Sequence, residues 1–140
     1  MPMPVKSKYG SHKIRLSNGE VYDSKAEYQF SHVLRLLRVE FERQIAIVIQ
    51  KGFSDEYGAC RAIEYVADFV VGKYMIDVKG FATADFMLKA KILRAMKSEG
   101  RSEYILLIAK KAGNSFVLWE WCVPAKNSKR KCFDVMKFKE

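Results

Sequence analysis

The sequence predicts an α/β (α+β) domain in which a central mixed β-sheet is flanked by helices. Two stretches carry apolar residues at helical spacing behind a capping residue, and five carry the β-branched and aromatic composition of strands. Their order is helix, three strands, helix, two strands, which suits one mixed sheet. A chain of 140 residues, 49% apolar and 13% aromatic, is also long enough to bury the core of one such domain.

In chain order, residues 1–13 read as a basic N-terminal arm. Lys13 to Tyr22 reads as a short hairpin turning at Ser17-Asn18-Gly19, with Ile14, Leu16, Val21 and Tyr22 on its strands. Ser24 is a good N-cap, and Glu27 stands three residues later in the capping-box position. The helix that follows is expected to reach about Arg38 or beyond, with Phe30, Val33, Leu34, Leu37 and Phe41 as its apolar stripe. Glu27 projects onto that same stripe, so capping and a role at a site are both open to it.

Gln44 to Gln50 reads as a strand, Lys51 to Ala59 as a polar loop, and Arg61 to Val71 as the next strand. Thr83 can cap a second helix that carries Asp85 in its first turn and Gly100 beyond its end. Phe86, Ala90, Leu93 and either Met96 or Lys97 mark one face of it. Lys89 lies near that face and Lys91 does not, because residues two apart on a helix point in different directions. Glu103 to Lys110 and Ser115 to Val123 supply the last two strands, so that 14–123 forms the domain and 124–140 a basic tail.

Tyr65 to Gly80 holds the densest signal. Two strand-like runs meet at Gly72-Lys73, and a two-residue loop with Gly first suits a type II′ turn. Val71 then pairs with Tyr74, and counting outward sets Asp68 opposite Asp77, with Lys79 two residues further on the same face. Directly opposed like charges destabilise a sheet, and a buried unpaired carboxylate costs more. A divalent metal between the two aspartates relieves both costs, with Lys79 close enough to act on what the metal binds. The competing reading is a pair of edge-strand aspartates facing water, with Lys79 in a surface ion pair. The apolar neighbours Val66, Ala67, Phe69, Val70, Ile76 and Val78 weigh against it.

The formal charge of +9 is concentrated at the ends. Residues 1–15 carry Lys6, Lys8, Lys13 and Arg15 without an acid, and 124–140 carry Lys126, Lys129, Arg130, Lys131, Lys137 and Lys139 against Asp134 and Glu140. Basic ends on a near-neutral middle favour a polyanion, nucleic acid ahead of membrane, over simple solubilising tails. Cys60, Cys122 and Cys132 are far apart and form no C-x-x-C pair, which fits free thiols in a reducing compartment. No apolar run has membrane-spanning length and Met1-Pro-Met-Pro-Val lacks the apolar region of a secretory signal, so the expected location is cytoplasmic.

Together these residues resemble the restriction-endonuclease-like PD-(D/E)XK nuclease superfamily. An acid on an opening helix, then an aspartate, then an acid-x-Lys triplet on a strand hairpin is its signature. The resemblance is closest to small phage and prophage proteins related to Holliday-junction resolvases. Their runs stand here as Tyr22 to Glu27, Tyr65 to Phe69 and Asp77 to Gly80, followed by a helix bearing Lys89 and Lys91. Ala67 replaces the proline often found before the aspartate.

The resemblance implies that Asp68 and Asp77 bind Mg²⁺ or Mn²⁺ with the Val78 carbonyl, and that Glu27 holds a second ion or its hydration shell. It further implies that Lys79 orients the attacking water or offsets charge on the phosphate. Gln44 is a weaker site candidate. The implied function is a metal-dependent endodeoxyribonuclease acting on branched DNA, in a homodimer where two strands are cut symmetrically. A transposon- or restriction-type nuclease, and a nucleic-acid-binding module that keeps the fold without the chemistry, are the alternatives.

Overall fold

The computed structural model of the chain describes residues 12–78, 83–121 and 132–140, together with the backbone of residues 3–6. The chain is mixed α+β and is built on a six-stranded mixed sheet with two helices, as the sequence predicts. It divides into two compact units, Met1–Glu40 and Phe41–Phe138, a boundary that falls within the stretch 14–123.

In the first unit, β1 (Met3–Lys6), β2 (His12–Arg15) and β3 (Val21–Tyr22) form an antiparallel sheet. The β2–β3 hairpin has the expected turn, with the Asn18 carboxamide oxygen accepting from the Glu20 N–H at 2.9 Å and Gly19 at φ 93°. Strand β1 lies in the stretch expected to be an arm and pairs Pro4 with Ile14 and Lys6 with His12. A proline argues against a central strand, but β1 is an edge strand, where a missing N–H is tolerated.

Helix α1 (Lys25–Leu36) packs on β2 and β3. Ser24 caps it as expected, its hydroxyl accepting from the Glu27 N–H at 3.1 Å. The helix stops at Leu36, short of the expected end, because Arg38 turns left-handed at φ 57°. The Arg38 N–H then donates to the Arg35 carbonyl at 3.0 Å and the Val39 N–H to the Leu34 carbonyl at 3.3 Å. These two bonds make a Schellman ending with arginine in the position glycine usually holds. Phe41 is therefore outside the helical stripe, whose buried residues are Glu27, Phe30, Ser31 and Leu34.

The second unit begins with β4 (Glu42–Gln50), two residues earlier than expected. The polar loop after it contains a small exposed hairpin of β5 (Phe53–Asp55) and β6 (Gly58–Cys60). Its turn is closed by the Asp55 carboxylate, which accepts from the Tyr57 N–H at 2.9 Å. Then follow β7 (Ile63–Val71), β8 (Tyr74–Val78), α2 (Ala84–Ser98), β9 (Ile105–Ala112), β10 (Ser115–Glu120) and β11 (Cys132–Phe133). The sheet order is β11-β10-β9-β8-β7-β4, with β8 and β9 parallel and every other pair antiparallel. The parallel pair is the one joined through a helix, since parallel neighbours need a crossover connection.

Thr83 caps α2 as expected, and the helix buries Phe86, Ala90, Leu93 and Met96. They pack against Ile49, Tyr65, Ala67, Val70, Met75, Leu106 and Ile108 of the sheet. Within the stretch expected to be a basic tail, β11 extends the sheet and residues Val135–Lys139 form a 3₁₀ turn. Tyr74, Phe133 and Phe138 hold that end by ring contacts at 4.8, 5.6 and 5.0 Å.

Helix α2 ends in the same motif as α1, but with Gly100 at φ 74° in the left-handed position. A side chain there strains the backbone by about 1–2 kcal/mol. Gly100→Ala should lower unfolding stability by about that much, and Arg38→Gly should raise it by up to about 1 kcal/mol after the flexibility glycine adds to the unfolded chain. Urea denaturation of the two variants checks both signs.

Candidate functional site

The hairpin of β7 and β8 has the predicted register. Gly72 is at φ 56°, as a type II′ turn requires of its first central residue, and Val71 pairs with Tyr74, Val70 with Met75 and Phe69 with Ile76. The next positions outward are Asp68 and Asp77. Here the two strands part. Strand β7 continues with β4, through Ala67 opposite Ile45, while β8 continues with β9, through Asp77 opposite Ile108 and Val78 opposite Ala109.

In an uninterrupted antiparallel ladder of this register the Val78 N–H would meet the Ala67 carbonyl. It donates instead to Oδ2 of Asp68, at 2.9 Å. The Asp68 carboxylate thus closes the gap left where the ladder opens. Asp77 is 1% exposed, in a strand whose Met75 and Ile76 are also buried. Alternation along the strand and the pairing with Ile108 set it on the face that α2 covers. The printed pairing of β7 with β8 ends at Phe69 and Ile76, so Asp68 and Asp77 are the residues that flank the point where the strands part, with Asp68 held to the Val78 N–H. The half-exposed Val78 adjoins both.

Strand β4 contributes a feature with no signal in the sequence. Arg43 pairs with Phe69 and Ile45 with Ala67, which leaves Gln44 facing Asp68. Gln44 is at φ 53°, left-handed backbone inside a strand. Side-chain alternation slips by one residue at this point on both strands. On β7 the residues packed toward α2 are Tyr65 and Ala67 and then Val70. On β4, Ile45 and Ile47 pack toward α2, while Glu42 pairs with Val70.

Glu27 belongs to the first unit, in the first turn of α1, and is 2% exposed. Lys13 and Arg15 are exposed on β2, and Lys6 ends β1. Lys89 is half-buried and forms an ion pair with Asp85 at 3.5 Å on its own helix, whereas Lys91 is exposed. Lys8, Lys79, Lys126, Lys129, Arg130 and Lys131 lie outside the described residues. No helix among the described residues is long and apolar enough to cross a membrane.

The class defined so far is an α+β protein with two carboxylates at the point where a sheet changes partners. Residues 6–113 match the model of a family described as a protein of unknown function, DUF1064, and the chain belongs to that family. No curated protein and no solved structure matches it.

The Asp68 hydrogen bond makes a stability prediction. Asp68→Ala strands a backbone donor and should cost about 1–3 kcal/mol, whereas Asp68→Asn keeps an acceptor oxygen and should cost less. Equal losses for the two variants in denaturant melts would show that the bond contributes nothing.

Proposed function

We propose that this protein is a metal-dependent endodeoxyribonuclease that hydrolyses phosphodiester bonds, with branched DNA such as a four-way junction as its substrate. One observation carries the reading: Asp68 and Asp77 flank the point where β7 and β8 part, Asp68 accepting from the Val78 N–H, with Lys79 two residues beyond Asp77 in the sequence. A strand end that retains two carboxylates among apolar residues keeps an expensive arrangement, and a hydrolytic site gives it a use.

Oxygen donors alone are on offer, which suits Mg²⁺ or Mn²⁺ better than a softer ion. Asp68, Asp77 and the Val78 carbonyl would hold the cation. Such a cation supplies Lewis acidity toward phosphate and a more acidic water. Lys79 would place a positive charge against the oxygens on which negative charge grows. The hydrogen bond from Val78 keeps the Asp68 carboxylate from swinging away, so its orientation is set before any ligand arrives. The basic residues Lys6, Lys8, Lys13, Arg15, Lys89, Lys91, Lys126, Lys129, Arg130 and Lys131 would supply phosphate contacts, and a cytoplasmic homodimer would allow paired cuts.

The decisive experiment incubates the purified protein with Mg²⁺ or Mn²⁺ and labelled four-way junction, flap, linear duplex, single-stranded DNA and RNA. The wild type should cut the junction best. Lys79→Ala should lose about 10²–10³ in rate while binding nearly as well, because Lys79 is one of 25 basic residues. Asp77→Asn should lose cleavage and also the rise in melting temperature that Mn²⁺ gives the wild type. Cleavage that survives in both variants would move the chemistry elsewhere, and firm binding without any cleavage would favour the binding-module reading.

The charged ends are best tested by substitution, because residues 3–6 and 132–133 are strands whose removal disturbs the sheets. Changing Lys126, Lys129, Arg130 and Lys131 together to Gln should weaken binding to all DNA sequences alike. The slope of log affinity against log salt should flatten by about 0.9 for each phosphate that is no longer neutralised. Unchanged affinity would assign this segment to solubility.

A further inference from the structure

The six-stranded sheet ends on one side in β11, which has 2 residues, and on the other in β4, which has 9. Edge strands are commonly kept short or defended by charge, proline or a bulge, because their free N–H and C=O groups template further pairing. Strand β4 is irregular at Gln44 and again between Val48 and Gln50. Between those points Ile45-Ala46-Ile47-Val48 pairs regularly with β7, and from Gln44 to Gln50 there is neither a charged residue nor a proline. No strand among the described residues pairs with the outer side of β4.

Apolar exposure is concentrated beside that edge. Of the 11 large hydrophobic side chains exposed among the described residues, Val48, Phe53, Tyr57, Ile63 and Val66 fall in this one stretch of chain. Val48 and Val66 share the face that α2 does not cover, and Tyr57, at the turn of the β5–β6 hairpin, is 89% exposed. Hydrophobic residues scattered singly mean little, but a group of them marks an interaction surface. A cavity of about 600 Å³ opens next to the same strand, lined by Ile47 and Val48, by Gly72 at the β7–β8 turn, and by Met96, Gly100 and Tyr104 around the end of α2.

The geometry points to an interface in which β4 pairs with β4 of a second copy of this chain, antiparallel about a two-fold axis near Ala46 and Ile47. Such pairing sets the apolar run 45–48 against itself, as an isologous contact requires. The strand is uncharged in a chain of net charge +9, so two copies meet where they repel least, while a polyanion finds no cation between Arg43 and Lys51. The antiparallel direction also carries the partner's β5–β6 hairpin past Glu42, toward the end of the sheet where the cavity lies. Phe53 and Tyr57 of each copy then fill the cavity of the other. This surface would supply the homodimer of the nuclease reading, although the contact itself does not depend on that reading. Asp68, level with Gln44, would lie roughly 20–25 Å from its symmetry mate at ordinary strand spacing, with both copies of α2 on one face of the joined sheet.

Sedimentation of the DNA-free protein tests the interface. The wild type should be a dimer at micromolar concentration. Val48→Lys, at an exposed position, should keep the far-UV circular dichroism of the wild type and weaken dimerisation by about ten-fold or more. Phe53→Ser with Tyr57→Ser should weaken it too while leaving β4 as it is. A spin label on Gln50→Cys, in a chain whose 3 cysteines are changed to Ser, should report roughly 20–30 Å between copies. A monomeric wild type, undiminished dimerisation of Val48→Lys, or a distance beyond about 40 Å would each overturn the proposal. Its failure is distinct from that of the nuclease reading: a monomer that cuts junctions removes the interface alone, and a dimer of this geometry that cuts nothing removes only the nuclease.

Discussion

The hydrogen bond from the Val78 N–H to the Asp68 carboxylate is the constraint on which the rest of the site depends. Strand β8 holds β9 to its end but leaves β7 after Ile76. A strand that loses a neighbour partway exposes backbone donors, and a buried one without an acceptor costs about 1–3 kcal/mol. Asp68 fills that need with a side-chain oxygen at 2.9 Å. Because a carboxylate has a second oxygen, the group that completes the sheet is still able to meet a ligand. The fold and the proposed chemistry thus share one residue, and a substitution there changes stability and function together.

The parting of the strands also explains where the site lies. Strands β8 and β9 are the one parallel pair in the sheet, and α2 provides their connection. The carboxyl end of a parallel strand, just before the chain turns away to its crossover helix, is where α/β sheets most often open a crevice for ligands. Asp77 and Val78 are the last residues of β8. Upstream, Phe69 to Val71 on β7 and Met75 to Asp77 on β8 are buried in succession, as in strands covered on both faces. That rigid stretch holds Asp77 in place, since its neighbours along the strand have no freedom to move aside.

Much of this was legible in the sequence, for identifiable reasons. Gly72-Lys73 signals a two-residue turn, and counting outward from it gives the register that pairs Val71 with Tyr74, Val70 with Met75 and Phe69 with Ile76. Ser24 and Thr83 each put a hydroxyl one residue before a helical pattern, and both caps form. What the sequence hid was tertiary or conformational. Arg38 ends α1 in a role that glycine usually signals, so the helix was expected to run on. The polar stretch 51–59 concealed a hairpin set by the Asp55 turn. The charge of 124–140 concealed Phe133 and Phe138, whose partner Tyr74 is distant in sequence. Val66 looked buried by composition but is exposed, since β7 is covered on both faces only in its second half. No composition signals a left-handed glutamine, so the distortion at Gln44 is visible only in the folded chain.

Charge gives the last constraint. The chain is strongly basic, yet Asp68 and Asp77 are acids, so on the proposed reading attraction and chemistry belong to different groups. At physiological ionic strength the Debye length is about 8 Å, so on that reading the basic residues would act on a polyanion only once it is close to the surface. At contact the two aspartates act over shorter distances and repel phosphate. A phosphodiester settles against them only once their charge is offset, by a divalent cation and by Lys79. On the proposed reading the acidic site would thereby discourage unproductive occupancy in the absence of the cation, while the basic residues would keep DNA nearby. This division of labour requires that binding and cleavage respond to different substitutions and to different ions: monovalent salt should act mainly on binding, and divalent cation mainly on cutting.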